Sequence, residues 1–236
     1  MQILMSRMRA AMEKYNMIED GDRIAVGVSG GKDSLALLYA LSEMRRFYPK
    51  KYELTAVTAD MKFFGEKTDF SEISALCERI GVSYTVKETE LYHIIFETRK
   101  EKNPCSLCAR MRRGILHDVT RELGCNKLAL GHHMDDAAET FMMNLLSGGR
   151  IESFRPVTYL SRKDITMIRP MIFATEKEVL SAARKMSLPT VESPCPMDKT
   201  SNRNEMKELL KSLEKDFPAL KEKIIGGMQK GEISGW

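Results

Sequence analysis

An α/β fold, built as a twisted parallel sheet with helices on both faces, is what this sequence predicts, and three observations predict it. Short apolar runs such as Ile24 to Val28, Leu54 to Ala59 and Lys127 to Leu130 alternate with longer segments of helical periodicity. That pattern belongs to strands buried on both faces and joined through helices. Two of the runs end in turns that open straight into a helix, at Ser29-Gly30-Gly31 and at Gly131-His132-His133. Finally, Ser29, Ala59-Asp60 and Gly131 all fall at the carboxyl ends of strands, the edge at which open α/β sheets bind ligands.

The elements follow in order. Met1 to Met17 reads as an amphipathic helix with Leu4, Met8, Met12 and Tyr15 on one stripe. It lacks the apolar core and small-residue cleavage site of a signal peptide, and no run approaches the roughly 20 apolar residues of a membrane span, so the expected location is the cytoplasm with no membrane partner. Asp20-Gly21-Asp22 makes a turn before the first strand, and Ser34 to Phe47 a helix after it. Further helices are expected over Asp69 to Ile80, Ser106 to Leu123 and Asp135 to Ser147, with a short strand at Tyr84 to Val86. A hairpin is expected within Phe154 to Ile168, then a helix from Thr175 to Met186 opened by a Thr175/Glu178 capping box. Pro189, Pro194 and Pro196 bracket a loop carrying Cys195, and a helix pair near Asn202 to Lys215 and Pro218 to Met228 ends the chain. The organisation is an N-terminal helix over 1–22, a core over 23–170 and a helical extension over 171–236, in one compact unit. The Met-rich first helix needs a surface to cover, either its own core or a second copy in a homodimer.

The chain has 236 residues, 43% of them hydrophobic, which suffices for a substantial core. Its net charge of +4 is too small to indicate a nucleic-acid partner by itself. Five cysteines, an odd number with one Cys-x-x-Cys pair, argue for metal or redox chemistry over a disulfide framework.

The segment Val26-Gly27-Val28-Ser29-Gly30-Gly31-Lys32-Asp33-Ser34 has the form of a phosphate cradle. Its glycines let backbone N–H groups turn inward, the helix start adds partial positive charge, and Lys32 adds a full one. A Walker loop is excluded because Gly27 and Gly31 stand too close together and Asp33 follows Lys32. A Rossmann fingerprint fails for want of a third glycine. The string Ser-Gly-Gly-Lys-Asp-Ser resembles the PP-loop of the ATP pyrophosphatases, which cleave ATP between its α and β phosphates. Gly131-His132-His133-Met134-Asp135-Asp136 matches that family's second motif, Gly-His-x-x-Asp-Asp. Asp135 and Asp136 could simply cap a helix, or hold Mg2+ against phosphates. His132 reads as an orienting residue, and His93 and His117 as structural ones.

Cys77 falls on an apolar helix face and Cys125 precedes a buried strand, so both read as inert. Cys105-x-x-Cys108 and the distant Cys195 remain, and the residues alone leave zinc, redox and sulfur-relay readings open. The run Pro104 to Leu116, with the two ATP motifs and Arg169-Pro170, closely resembles the tRNA 2-thiocytidine synthetase (TtcA) family. The resemblance implies a [4Fe–4S] cluster on Cys105, Cys108 and Cys195 with one iron open for sulfur. It also implies ATP and Mg2+ bound by Ser29, Gly30, Gly31, Lys32, Asp33, Ser34, Ala59, Asp60, Gly131, Asp135 and Asp136. Lys32, Asp33, Arg112 and Asp136 would be catalytic, offsetting charge while the C2 oxygen of a tRNA pyrimidine, expected to be cytidine 32, is adenylated and replaced by sulfur. Sulfur would come from a cysteine desulfurase or free sulfide. Where this family often has a second Cys-x-x-Cys, Asp198 stands three residues past Cys195. Arg99, Lys100, Lys102, Arg110, Arg113, Arg150, Arg155 and Arg162 could guide an anticodon stem. Uridine thiolation, a cluster-free synthetase of lysidine type and a nucleotide- or iron–sulfur-sensing protein are the competing expectations.

Overall fold

The computed structural model describes residues 1–100, 104–197 and 202–236; Lys102 and Asp198 lie outside them. Helix α1 (Gln2–Lys14) leads into strand β1 (Asp22–Gly27), helix α2 (Lys32–Met44) and strand β2 (Tyr52–Asp60). Next come α3 (Ser71–Arg79), β3 (Ser83–Glu88), α4 (Pro104–Glu122), β4 (Lys127–Ala129) and α5 (Met134–Gly148). A hairpin of β5 (Val157–Leu160) and β6 (Ile165–Ile168) precedes α6 (Glu176–Lys185), α7 (Asn202–Leu213) and α8 (Leu220–Lys230). The expected elements are all there, with ends shifted by a few residues. Thus α3 starts at Ser71 because the Asp69 carboxylate accepts the Ser71 N–H at 2.9 Å. A wide-turned helical stretch over His93–Thr98 has no counterpart in the sequence reading.

The strands lie in the order β3-β2-β1-β4-β6-β5. Five run parallel, and β5 pairs antiparallel with β6, Val157 opposite Ile168. Because side chains alternate across a strand, neighbouring residues serve opposite layers. Ile24, Val26, Ala129 and Ile168 join the large core under α1, α2 and α6, whereas Ala25, Leu128 and Met167 join Val119 on the α4 side. Helix α1 buries Leu4, Met8, Ala11 and Met12 in the large core, with Tyr15 5.9 Å from Phe173, so its stripe covers the chain's own interior.

Chain order reverses between β1 and β4: β2 and β3 lie to one side, β6 and β5 to the other. A crevice opens at the carboxyl ends of strands at such a switch point. At the amino ends the sheet is closed instead. Buried Lys127 donates to Asp22 at 2.7 Å and to the Met17 carbonyl at 3.0 Å, and Asn126 donates to the other Asp22 oxygen at 2.7 Å.

Candidate active site

The turn after β1 is held in shape by its own serines. The Ser34 hydroxyl accepts the Ser29 N–H at 3.1 Å and donates to the Gly31 carbonyl at 2.9 Å. Gly30 sits at φ +85°, a conformation that a Cβ strains. Gly31 precedes α2 with no side-chain cap, which leaves the helix start to an anionic ligand. Gly131 lets the end of β4 meet this turn, since a Cβ there would lie 3.1 Å from Ser34 backbone atoms.

Between the two turns lies a cavity of about 340 Å3, lined by Ser29, Asp33, Ser34, Ala59, Arg112, Gly131, His132, Asp136 and Arg203 among others. Seven of these were expected from sequence; His132 was expected only to orient the site, and Arg203 not at all. His133 caps α5 reciprocally: Asp136 Oδ2 accepts the His133 N–H at 2.8 Å, and His133 Nδ1 accepts the Asp136 N–H at 3.4 Å. The other Asp136 oxygen is held by Arg203 Nη2 at 2.6 Å, while Arg203 Nε reaches Glu139 at 3.1 Å. Burial pushes the Glu139 carboxyl up, against the pull of Arg203.

Three of the expected nucleotide ligands are engaged by other side chains or backbone groups. The Asp60 carboxylate accepts N–H groups of Lys62 and Thr68 and the Thr68 hydroxyl, so it shapes the loop after β2. Asp135 ties α8 and α6 to α5, pairing with Lys221 at 2.7 Å and accepting the Glu176 N–H at 2.7 Å. Lys32 Nζ lies 3.2 Å from Asp33 and 3.3 Å from Glu176, which Lys207 also holds at 2.7 Å. Despite the cost of burial, Lys207 and Lys32 hold the Glu176 carboxyl down at about 2.

The buried polar side-chain atoms without a hydrogen-bond partner, among the described residues, are Asp33 Oδ1, His132 Nδ1 and Arg169 Nε. Asp33 and His132 line the cavity, and Arg169 follows β6 near enough for its charge to act on His132. Burial first, then the positive charge of Arg169, pushes His132 down to about 3, so it is neutral at physiological pH. Arg169 lies 4.9 Å over the Phe154 ring and donates to the Arg155 carbonyl at 2.5 Å; burial and Arg113 bring it down to about 10, still a cation.

Arg112 links this cavity to the cysteines. It follows Cys108 by one turn of α4, lines the cavity and stands near enough to Cys108 for its charge to act on that thiol. Burial pushes the Cys108 thiol up; Arg112 opposes this, and Cys195 and Cys105 add to it from nearby. The three thiols are free and at least partly accessible, while Cys77 and Cys125 are buried. The Cys195 loop is fastened to the phosphate turn by Val191, whose N–H donates to the Gly30 carbonyl at 3.0 Å. No three His, Cys, Asp or Glu among the described residues gather closely enough for a single metal ion. A cluster spreads its thiolates over different irons, so three neighbouring thiols on two segments fit a cluster better than one ion.

The sequence profile described as "PP-loop domain" matches residues 3–213. The tRNA-cytidine(32) 2-sulfurtransferase of Geobacter sulfurreducens is 41% identical over 218 residues, 91% of this chain and 84% of that protein. The chain belongs to this PP-loop family. The equivalent sulfurtransferase of Syntrophotalea carbinolica is 42% identical over 221 residues, covering 92% of this PP-loop chain and 85% of the relative. Among solved structures, the U34-tRNA thiolase NcsA from Methanococcus maripaludis with its [4Fe-4S] cluster superposes with a TM-score of 0.78. It is 29% identical and matches 95% of this chain and 77% of its own. Arg203, Glu139 and Glu176 escaped the sequence reading, which named His133 only within the second motif and gave it no role. Arg203 alone carried a usable signal, three and seven residues ahead of the apolar Met206 and Leu210 on one helix face.

Proposed function

We propose that this chain is an ATP-dependent tRNA sulfurtransferase that replaces the C2 oxygen of cytidine 32 with sulfur, releasing AMP and diphosphate. The observation that carries this reading is the position of Arg112, one helical turn from Cys108 and in the wall of the phosphate cavity at once. The similarity to cytidine(32) sulfurtransferases supports the choice of base.

ATP would lay its phosphates along Ser29 to Ser34, where the uncapped start of α2 and the serine hydroxyls meet them. Asp33 Oδ1, buried with no hydrogen bond and with the Lys32 ammonium beside it, and Asp136 offer the oxygen donors that Mg2+ prefers beside a phosphate. The C2 oxygen attacks the α phosphorus and diphosphate leaves, so a poor leaving oxygen becomes the good leaving group AMP. Arg112, facing the cavity, offsets the negative charge that builds on phosphate and oxygen. Lys32 would add to this on leaving Glu176. Neutral His132 cannot donate as an acid there, so its part is to shape the crevice against Phe154. A [4Fe–4S] cluster on Cys105, Cys108 and Cys195 would supply an iron free of protein ligands to present sulfur. Exposed Arg99, Lys100, Arg110, Arg113, Arg155 and Arg162 suit the phosphates of an anticodon stem, and unstacking a loop base costs less than opening a helix.

The test is anaerobic protein with counted iron, given ATP, sulfide and unmodified tRNA, followed by digestion to nucleosides. Recovery of 2-thiocytidine with equimolar AMP is expected. An intact cluster with no thionucleoside overturns the proposal. Recovery of a 2-thiouridine would favour the second reading, uridine thiolation, which the structural likeness to a U34-tRNA thiolase keeps open.

A further inference from the structure

We infer that Arg203 is a phosphate-contacting residue of the nucleotide site, and that its grip on Asp136 is the contact a divalent cation displaces. This rests on the nucleotide reading above. Helix α7 packs on α5 through Met206 and Leu210, which meet Ala138, Met142 and Met143. Arg203 lies on the same face of α7, nearer its start, so packing delivers the guanidinium to the first turns of α5. There Asp136 and Glu139, three residues apart, present one carboxylate above the other. The guanidinium spans both, Nη2 to Asp136 at 2.6 Å and Nε to Glu139 at 3.1 Å. Asp33 adds to the field around it, and Arg203 lines the cavity wall.

Two carboxylates therefore hold one guanidinium, with the charge of a third acting on it, at the place where a triphosphate would lie. A divalent ion at Asp33 and Asp136 would repel that guanidinium and take over its partner. Glu139, more deeply buried than Asp136, keeps Nε tethered while the rest of the planar fork is released. Such a fork matches the oxygens of a phosphate and adds charge on the leaving diphosphate. Arg203 would then exchange one anionic partner for another, so the cation and the phosphates load together.

Two titrations of the full-length protein, with neither RNA nor ATP present, test this. Mn2+ binding, followed by the loss of the free-ion paramagnetic signal, should tighten about fivefold in Arg203→Gln, because a competing cation is gone. Pyrophosphate binding at saturating Mg2+, followed by calorimetry, should weaken about 10- to 100-fold, the scale of a lost charge-assisted contact. Arg203→Lys should fall between the two proteins in both titrations, and decides the matter should the glutamine variant not fold. A variant that merely loosens the site would lose both affinities. That parallel loss, or any pattern other than opposite shifts, overturns the inference. Neither readout involves thiolation, so a failure here is separable from failure of the nucleoside assay.

Discussion

The two ends of the sheet handle polar groups in opposite ways. At the amino ends, Lys127 and Asp22 are buried together and every charge has a partner: Asn126, the Met17 carbonyl and the Glu19 N–H complete the set. At the carboxyl ends, Asp33 Oδ1, His132 Nδ1 and Arg169 Nε are buried without a hydrogen bond, Asp33 Oδ1 having the Lys32 ammonium 3.2 Å away as an ion pair. The same strands make both environments, β1 and β4 supplying one end and the turns after β1, β4 and β6 the other. A satisfied buried pair holds a fold together, whereas unsatisfied buried groups raise its energy until something binds. The difference separates residues kept for stability from residues kept for chemistry.

The largest effect should come from the closed end. Lys127→Ala leaves Asp22 buried beside only its Asn126 and Glu19 partners, and should cost about 3 kcal/mol or more of unfolding free energy. Urea titration reads this directly, and the nucleotide affinity of the fraction that remains folded should be unchanged. The next effect, at the open end, should invert that pattern. Asp136→Asn keeps a group that can cap α5, so stability should move by less than about 1 kcal/mol. Turnover should fall about 10²–10³-fold, the scale of removing one preorganised charge. If Asp136→Asn unfolds the protein as readily as Lys127→Ala, the two ends are not specialised as argued.

Much of this contrast was legible in the sequence, and its limits are physical. Ser29 to Ser34 and Gly131 to Asp136 are contiguous strings at strand ends, so local pattern placed them. The capping box of Thr175 and Glu178 was legible for the same reason and is formed at 2.8 and 3.2 Å. Direction was not legible. Asp60 and Asp135 stand at the expected positions, but Thr68 and Lys221 from elsewhere in the chain claim their carboxylates. Arg203 was missed because its spacing to Met206 and Leu210 marks only the face it shares, while its partners Asp136 and Glu139 lie on another helix. The wide-turned stretch at His93–Thr98 has no sequence signature of its own.

Gly30→Ala tests whether the open end and the cysteine loop are one unit. At φ +85° an alanine is strained, and its Cβ would stand 3.2 Å from Val191 Cβ. The combined cost should be about 1–3 kcal/mol. Because Val191 is tied to the Gly30 carbonyl four residues before Cys195, relief of the clash should move that loop. Iron retained after anaerobic purification and affinity for ATP should then fall together. A variant that loses ATP affinity but keeps its full iron content would show the two regions to be mechanically independent.

The smallest effect concerns pH and isolates one of the unpartnered atoms. His132 is held at about 3 in the folded protein, by burial and then by Arg169, against about 6.5 in an unfolded chain. Between those values the unfolded chain binds a proton that the folded chain refuses. Stability should therefore fall with falling pH, by up to about 1.4 kcal/mol per pH unit from this residue, and be unaffected by it above about pH 7. His132→Gln removes the titration while leaving a polar group against Phe154. Glu176, depressed to about 2, loses its contribution only as pH drops below about 4.5, so measurements at pH 7 and pH 5 avoid it. Over that interval the glutamine variant should lose about 1–2 kcal/mol less than the parent in urea unfolding. Parallel losses would mean that His132 accepts a proton in place, and that its crevice is wetter than the partnerless Nδ1 implies.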